Sequence, residues 1–124
     1  MATNYVQEGN TIQYTAGADI SSGDVVVIGS NGDAIIGVAL VDIANGSTGS
    51  VAIEGVFTVA KVSAAVIAQG EYVVWDASVS EFDDNAATPA SGDVVDGAIA
   101  WESAGNGVTS IAIKLTGRPG TLTA

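Results

Sequence analysis

Most protein chemistry near neutral pH begins with a histidine or a cysteine, and this chain has neither. The Ser-His-Asp and Cys-His relays, thiolate metal sites and disulfides are therefore out of reach. What remains is thin. Lys61 and Ser63 stand two apart, a spacing that shares one face of a strand, so a Ser-Lys pair is formally available. An exposed Lys beside a Ser that caps a helix explains the same residues, and that is the expectation. Gly46-Ser47-Thr48-Gly49-Ser50 fails the spacing of a nucleophile elbow. Gly105-Asn106-Gly107 lacks the third glycine of a dinucleotide fingerprint. Glu81-Phe82-Asp83-Asp84-Asn85 gathers acids but has neither the order nor the terminal Glu of an EF-hand, so a solvated loop is expected. Asn45-Gly46-Ser47 fits a glycosylation sequon, yet without a secretory signal it reads as a turn. Carboxylates on separate strands could still meet as a glycosidase pair, but nothing favours it. No catalytic, cofactor-binding or metal-binding residue is expected, and no enzyme.

Charge excludes further classes. Fourteen acids face three bases (Lys61, Lys114 and Arg118), a net charge of −11. Phosphate neutralisation needs the opposite balance, so neither nucleic acid nor an anionic membrane is an expected partner. The acids are scattered, which suits a soluble surface that resists premature self-association. No apolar run is long enough for a transmembrane helix. The aromatics Phe57, Tyr72, Trp75 and Trp101 are expected to fill the core, with Trp75 or Trp101 the alternative as a subunit anchor.

The elements that would position these residues are strands. Val, Ile, Thr and Gly dominate beside abundant Ala, while Leu, Lys, Arg and Met are scarce. Ser110 to Leu115 alternates, with Ile111, Ile113 and Leu115 on one side. Val51, Ile53, Phe57 and Val59 continue a similar pattern, interrupted at Gly55, where a bulge or close backbone approach is expected. Ala34 to Val41 and Val25 to Ile28 are apolar on both faces, as strands covered twice are. The expected core comprises Ile36, Val38, Ile53, Phe57, Val74, Ile99, Ile111 and Ile113. Asn31-Gly32 suits a type I′ turn, and Asn45-Gly46 and Asn106-Gly107 suit two equivalent hairpins. One short helix is expected over 63–69, capped by Ser63 and ended by Gly70.

Two stretches repeat. Ile20-Ser21-Ser22-Gly23-Asp24-Val25-Val26-Val27-Ile28 matches Ile67-Ala68-Gln69-Gly70-Glu71-Tyr72-Val73-Val74-Trp75. Gly37 to Ile53 matches Gly97 to Ile113 without gaps, and the second copy carries an insertion around Glu81–Ser91. The chain is accordingly expected to be all-β: a small barrel or sandwich of two repeated units, about 20–55 and about 67–115, that cover each other's apolar faces. A jelly-roll-like sandwich is the alternative. Residues 1–10 read as an extended N-terminal arm, 11–115 as a single β-domain, and 116–124 as a flexible C-terminal tail.

The opening run Ala2-Thr3-Asn4-Tyr5-Val6-Gln7-Glu8-Gly9, with Gly37-Val38-Ala39, Glu54-Gly55-Val56-Phe57 and Ala68-Gln69-Gly70-Glu71-Tyr72-Val73-Val74-Trp75-Asp76, resembles the capsid cement (decoration) proteins of tailed bacteriophages. The resemblance runs from Met1 to about Leu115. It implies a structural protein, made in the host cytoplasm and carried on the outer surface of the virion. It also implies that the protein bridges major capsid subunits and forms a homo-oligomer, a trimer before a dimer, with no cofactor. Asn4, Tyr5, Val6 and Gln7 are uncharged and β-compatible, so they are the expected capsid or subunit contact, adding as a strand to a neighbour's sheet edge. A carbohydrate- or ligand-binding β module on a virion or cell surface is the alternative function.

Overall fold

The computed structural model describes Thr3, Asn4 and residues 7–124. Ten strands follow one another: β1 (Thr11–Thr15), β2 (Val25–Ile28), β3 (Asp33–Ala39), β4 (Thr48–Ala52), β5 (Glu54–Ala60), β6 (Tyr72–Asp76), β7 (Glu81–Asp83), β8 (Val94–Ala100), β9 (Ser110–Thr116) and β10 (Gly120–Leu122). All ladders between them are antiparallel, and they join into one curled sheet. The fold is all-β as expected, and the continuous sheet is not a jelly-roll sandwich. Among the described residues there is no helix. The segment expected to be helical over 63–69 has its backbone committed elsewhere. Ile67 exchanges hydrogen bonds with Ala104, Gly70 donates to Ala100, and the Ser63 carbonyl accepts from Gly107. About two turns of helix cannot compete alone with a sheet that satisfies the same groups.

The duplication is visible in the pairing. In the first unit the order is β1-β4-β3-β2, and in the second it is β5-β9-β8-β6. Asp24 accepts from the Ala39 amide as Glu71 accepts from Ala100, and the Ile20–Ile43 bridge has its counterpart in Ile67–Ala104. Val25 pairs with Val38 as Tyr72 pairs with Ile99. Val38 in turn meets Ala52 as Ile99 meets Lys114.

These pairings correct the gapless sequence match. Val38 corresponds to Ile99, not Ala98, and Val51 corresponds to Ile113, not Ile111. Sliding a strand by two residues preserves its inward face, which is why the Ser-[Val/Ile]-Ala-Ile match looked sound. The unit boundary falls near Ile53, inside the stretch that the match gave to the first repeat. β5 pairs with β9 and belongs to the second unit. The alternating apolar pairs Ile12/Tyr14 and Phe57/Val59 carried that signal, but no identities did.

Each turn has its own chemistry. Gly46 and Gly107 take φ of 84° and 93° at equivalent turns, where Ser47 donates to Ala44 and Val108 to Gly105. The Asn31-Gly32 turn is not type I′. That turn needs positive φ at both central residues, and here Gly32 has it without Asn31. The segment 116–124 contains β10, which pairs with β3 on one side and β8 on the other and so joins the two units.

The packing is asymmetric. The main core takes the inner face of the second unit (Val59, Val73, Ala98, Ala100, Ile111, Ile113, Leu115) together with Ala34, Ile36, Val38 and Ala52 from the first. A smaller core of Ala16, Val26, Ala39, Ile43 and Val51 lies within the first unit alone. The units therefore do not cover each other's inner faces reciprocally. Of the expected core, Ile36, Val38, Val74, Ile111 and Ile113 are buried, while Ile53, Phe57 and Ile99 are half-buried.

Candidate interaction surface

The surface offers two regions that could meet a partner. The expected arm lies ahead of β1. Thr3 and Asn4 form an exposed turn. Gln7 is exposed, and its Nε2 donates to the Thr11 carbonyl at 3.1 Å. Tyr5 and Val6, the other expected contact residues, lie outside the described residues.

A second surface comes from the outer face of the second unit. Residues directly opposite one another in an antiparallel sheet point to the same side. Tyr72 faces Ile99, Ile99 faces Lys114, and Lys114 faces Val56, so these four form one row across β6, β8, β9 and β5. Tyr72 and Val56 are 42% and 43% exposed. Trp101 follows β8, is 53% exposed, and donates its amide to Ala112. Around it Gln69, Gly70, Ile99, Ala100 and Lys114 line a shallow depression of about 390 Å³. The corresponding row in the first unit is Val25, Val38, Ala52 and Thr11. There Val38 and Ala52 are buried in the main core and Val25 packs against it. The same row of the same plan is thus covered in one unit and open in the other.

The remaining candidates resolve into structural roles. Trp75 is 7% exposed and packs on Phe82, with ring centroids 5.0 Å apart and planes tilted by 58°. Of the two tryptophans, it is therefore Trp101 that the surface presents. Lys61 is not exposed but buried to 1%. Its Nζ donates to the carbonyls of Val62, Ser63, Gly105 and Val108 at 2.8–3.3 Å. With no helix at 63–69 Ser63 caps none, and the contact of Lys61 with its carbonyl is part of a brace between two turns. Burial of an ammonium is tolerable only when its charge is met this way. The acids around Glu81–Asp84 serve the backbone: Asp83 accepts from the Asp84 amide and Asp84 from the Ala86 amide. The buried Asp93 takes the amides of Ala77 and Ala90 at 3.0 and 2.9 Å and so pins the insertion. Among the described residues no group of acids is arranged to hold a metal ion, and no helix is long and apolar enough to cross a membrane.

The described residues thus form an acidic β-fold with an open apolar row on its second unit. The phage cement protein family matches residues 6–115, and the chain belongs to that family. No curated protein matches the chain. By its description the family is a structural one.

Proposed function

We propose that this chain is a capsid cement protein that binds the outer surface of a phage shell, bridges major capsid subunits and stabilises the shell. The family match over residues 6–115 carries the reading. Two surfaces support it. The arm, Asn4 to Gln7, adds as a strand to a neighbour's sheet edge, where backbone hydrogen bonds supply affinity. The Tyr72–Ile99–Lys114–Val56 row, extended by Trp101, offers apolar area around one of the chain's few cations. Apolar anchors ringed by polar residues are where binding energy concentrates. The homo-oligomer is a trimer rather than a dimer.

Sedimentation with empty expanded shells tests this. The full chain should saturate the shells at a fixed stoichiometry, which a glycan-binding module would not do. A chain beginning at Gly9 should fold normally and bind much more weakly. Equal binding by both chains would move the contact to the β-domain, and no saturable binding would remove the reading.

A further inference from the structure

The second unit is closed and the first is not. In the second, β7 lies beside β6, pairing Val74 with Asp83, Trp75 with Phe82 and Asp76 with Glu81. On its far side β7 reaches the end of β5 through a parallel bridge between Lys61 and Phe82, and Val62 donates to the Phe82 carbonyl. The circuit β5-β9-β8-β6-β7 therefore returns to β5. In the first unit the equivalent circuit stops: among the described residues β2 pairs with β3 alone and β1 with β4 alone. Ile12, Tyr14, Ile20 and Ile28 pack against the small core there without being fully buried. Val26 sits opposite Gly37 in register with the Asp24–Ala39 hydrogen bond. The alternation of an antiparallel ladder then turns the backbone groups of Val25 and Val27 toward the open side.

We infer that the gap between β1 and β2 is a receptor for the N-terminal arm of a second copy of this chain, seated as β7 is seated in the second unit. This rests on the reading of the arm as a contact segment and names what it contacts. β7 specifies the occupant: a short extended segment, antiparallel to β2 and parallel to β1, with one aromatic side chain aimed at Ile28, the counterpart of Trp75. Asn4-Tyr5-Val6 supplies an aromatic between two uncharged residues, whereas β7 itself carries Glu81 and Asp83 about Phe82. On a chain of net charge −11, an uncharged segment from another copy docks with the least repulsion. The chain's own arm does not fit this seat. Only Gln7, Glu8, Gly9 and Asn10 separate Asn4-Tyr5-Val6 from β1, and a parallel connection needs a dozen residues or more.

The absence of cysteine makes the test clean. Tyr5→Cys and Ile28→Cys are prepared separately and mixed under mild oxidation, free and on empty expanded shells, beside a chain carrying both substitutions. Opposed residues in such a ladder lie within disulfide reach. The expected result is a linked dimer in the mixture and in neither variant alone. Linked oligomers of the double variant, without an internal link, would agree. An internal link in the double variant with none between copies overturns the proposal, as does the absence of any link in both states. Loss of link formation between variants that still saturate shells would locate the arm on the capsid. Linkage in solution without shell binding would spare this proposal and end the cement reading.

Discussion

Lys61 of the second unit stands where the first has Ala16. The Ala16 amide donates to Ser47 and the Lys61 amide to Thr109, at matching points of the two plans. From that difference the rest follows. In the second unit the Lys61 ammonium gathers four carbonyls, its backbone bridges to Phe82, and the insertion strand β7 completes the circuit. In the first unit a small side chain and a short Gly29–Gly32 connection stand there instead, and among the described residues β2 pairs with β3 alone. The outer faces differ in the opposite sense. The first unit's outer row is buried against its neighbour, and the second unit's row is presented to solvent. Duplication thus produced one unit with an unfilled edge and another with an uncovered face.

The comparison can be broken hardest at Lys61. Lys61→Met removes the ammonium and leaves its carbonyls buried without a donor. The expected loss is about 3–5 kcal/mol in denaturant unfolding. A loss below about 1 kcal/mol would show that water replaces the ammonium without cost.

Next is the closing strand. Phe82 is fully buried against Trp75, so Phe82→Ala should cost about 3–4 kcal/mol. Ile28→Ala, at the equivalent wall of the open unit, should cost about 1–2 kcal/mol because its side chain is only half-buried. Equal costs would mean that the first unit is as closed as the second. Hydrogen exchange on a chain beginning at Gly9 sharpens this. The Val74 amide, held by β7, should outlast that of Val27.

A smaller effect is expected at the seam between the units. A methyl group on Gly97 would lie 2.7 Å from Ile36 Cδ1. Gly97→Ala should therefore cost about 1–3 kcal/mol by overpacking. Gly105, whose added methyl would meet nothing within 4 Å, is the control for loss of glycine as such. Matching losses at the two positions would show that the seam yields.

The smallest effect on stability is expected at Trp101. Trp101→Ser should leave unfolding within about 0.5 kcal/mol, since the side chain is more exposed than covered. It should weaken shell binding all the same. A large fall in stability would mean that the ring braces the fold and is not an anchor.

The sequence by itself determined the strand class, the duplication and the place of the insertion. Those signals are local: β-branched residues, alternation, glycine turns at Gly46 and Gly107, and the repeated I-x-x-G-[DE]-x-V-V pattern. The exclusion of His- and Cys-dependent chemistry was equally legible, because it needs only a count. Tertiary structure decided the rest. Register between the units depends on pairing, and a slip of two residues leaves no trace in an alternating strand such as Ser110 to Leu115. The fate of 63–69 depended on Ala104, Ala100 and Gly107 competing for its backbone groups, partners distant in sequence. Lys61 looked like a surface charge because nothing near it in the chain announces a cage, and two of its four carbonyls come from Gly105 and Val108. Trp75 and Trp101 are the same residue type, each set beside an apolar strand stretch. The pairing of β7 beside β6 buries the first against Phe82, and the bend that follows β8 presents the second.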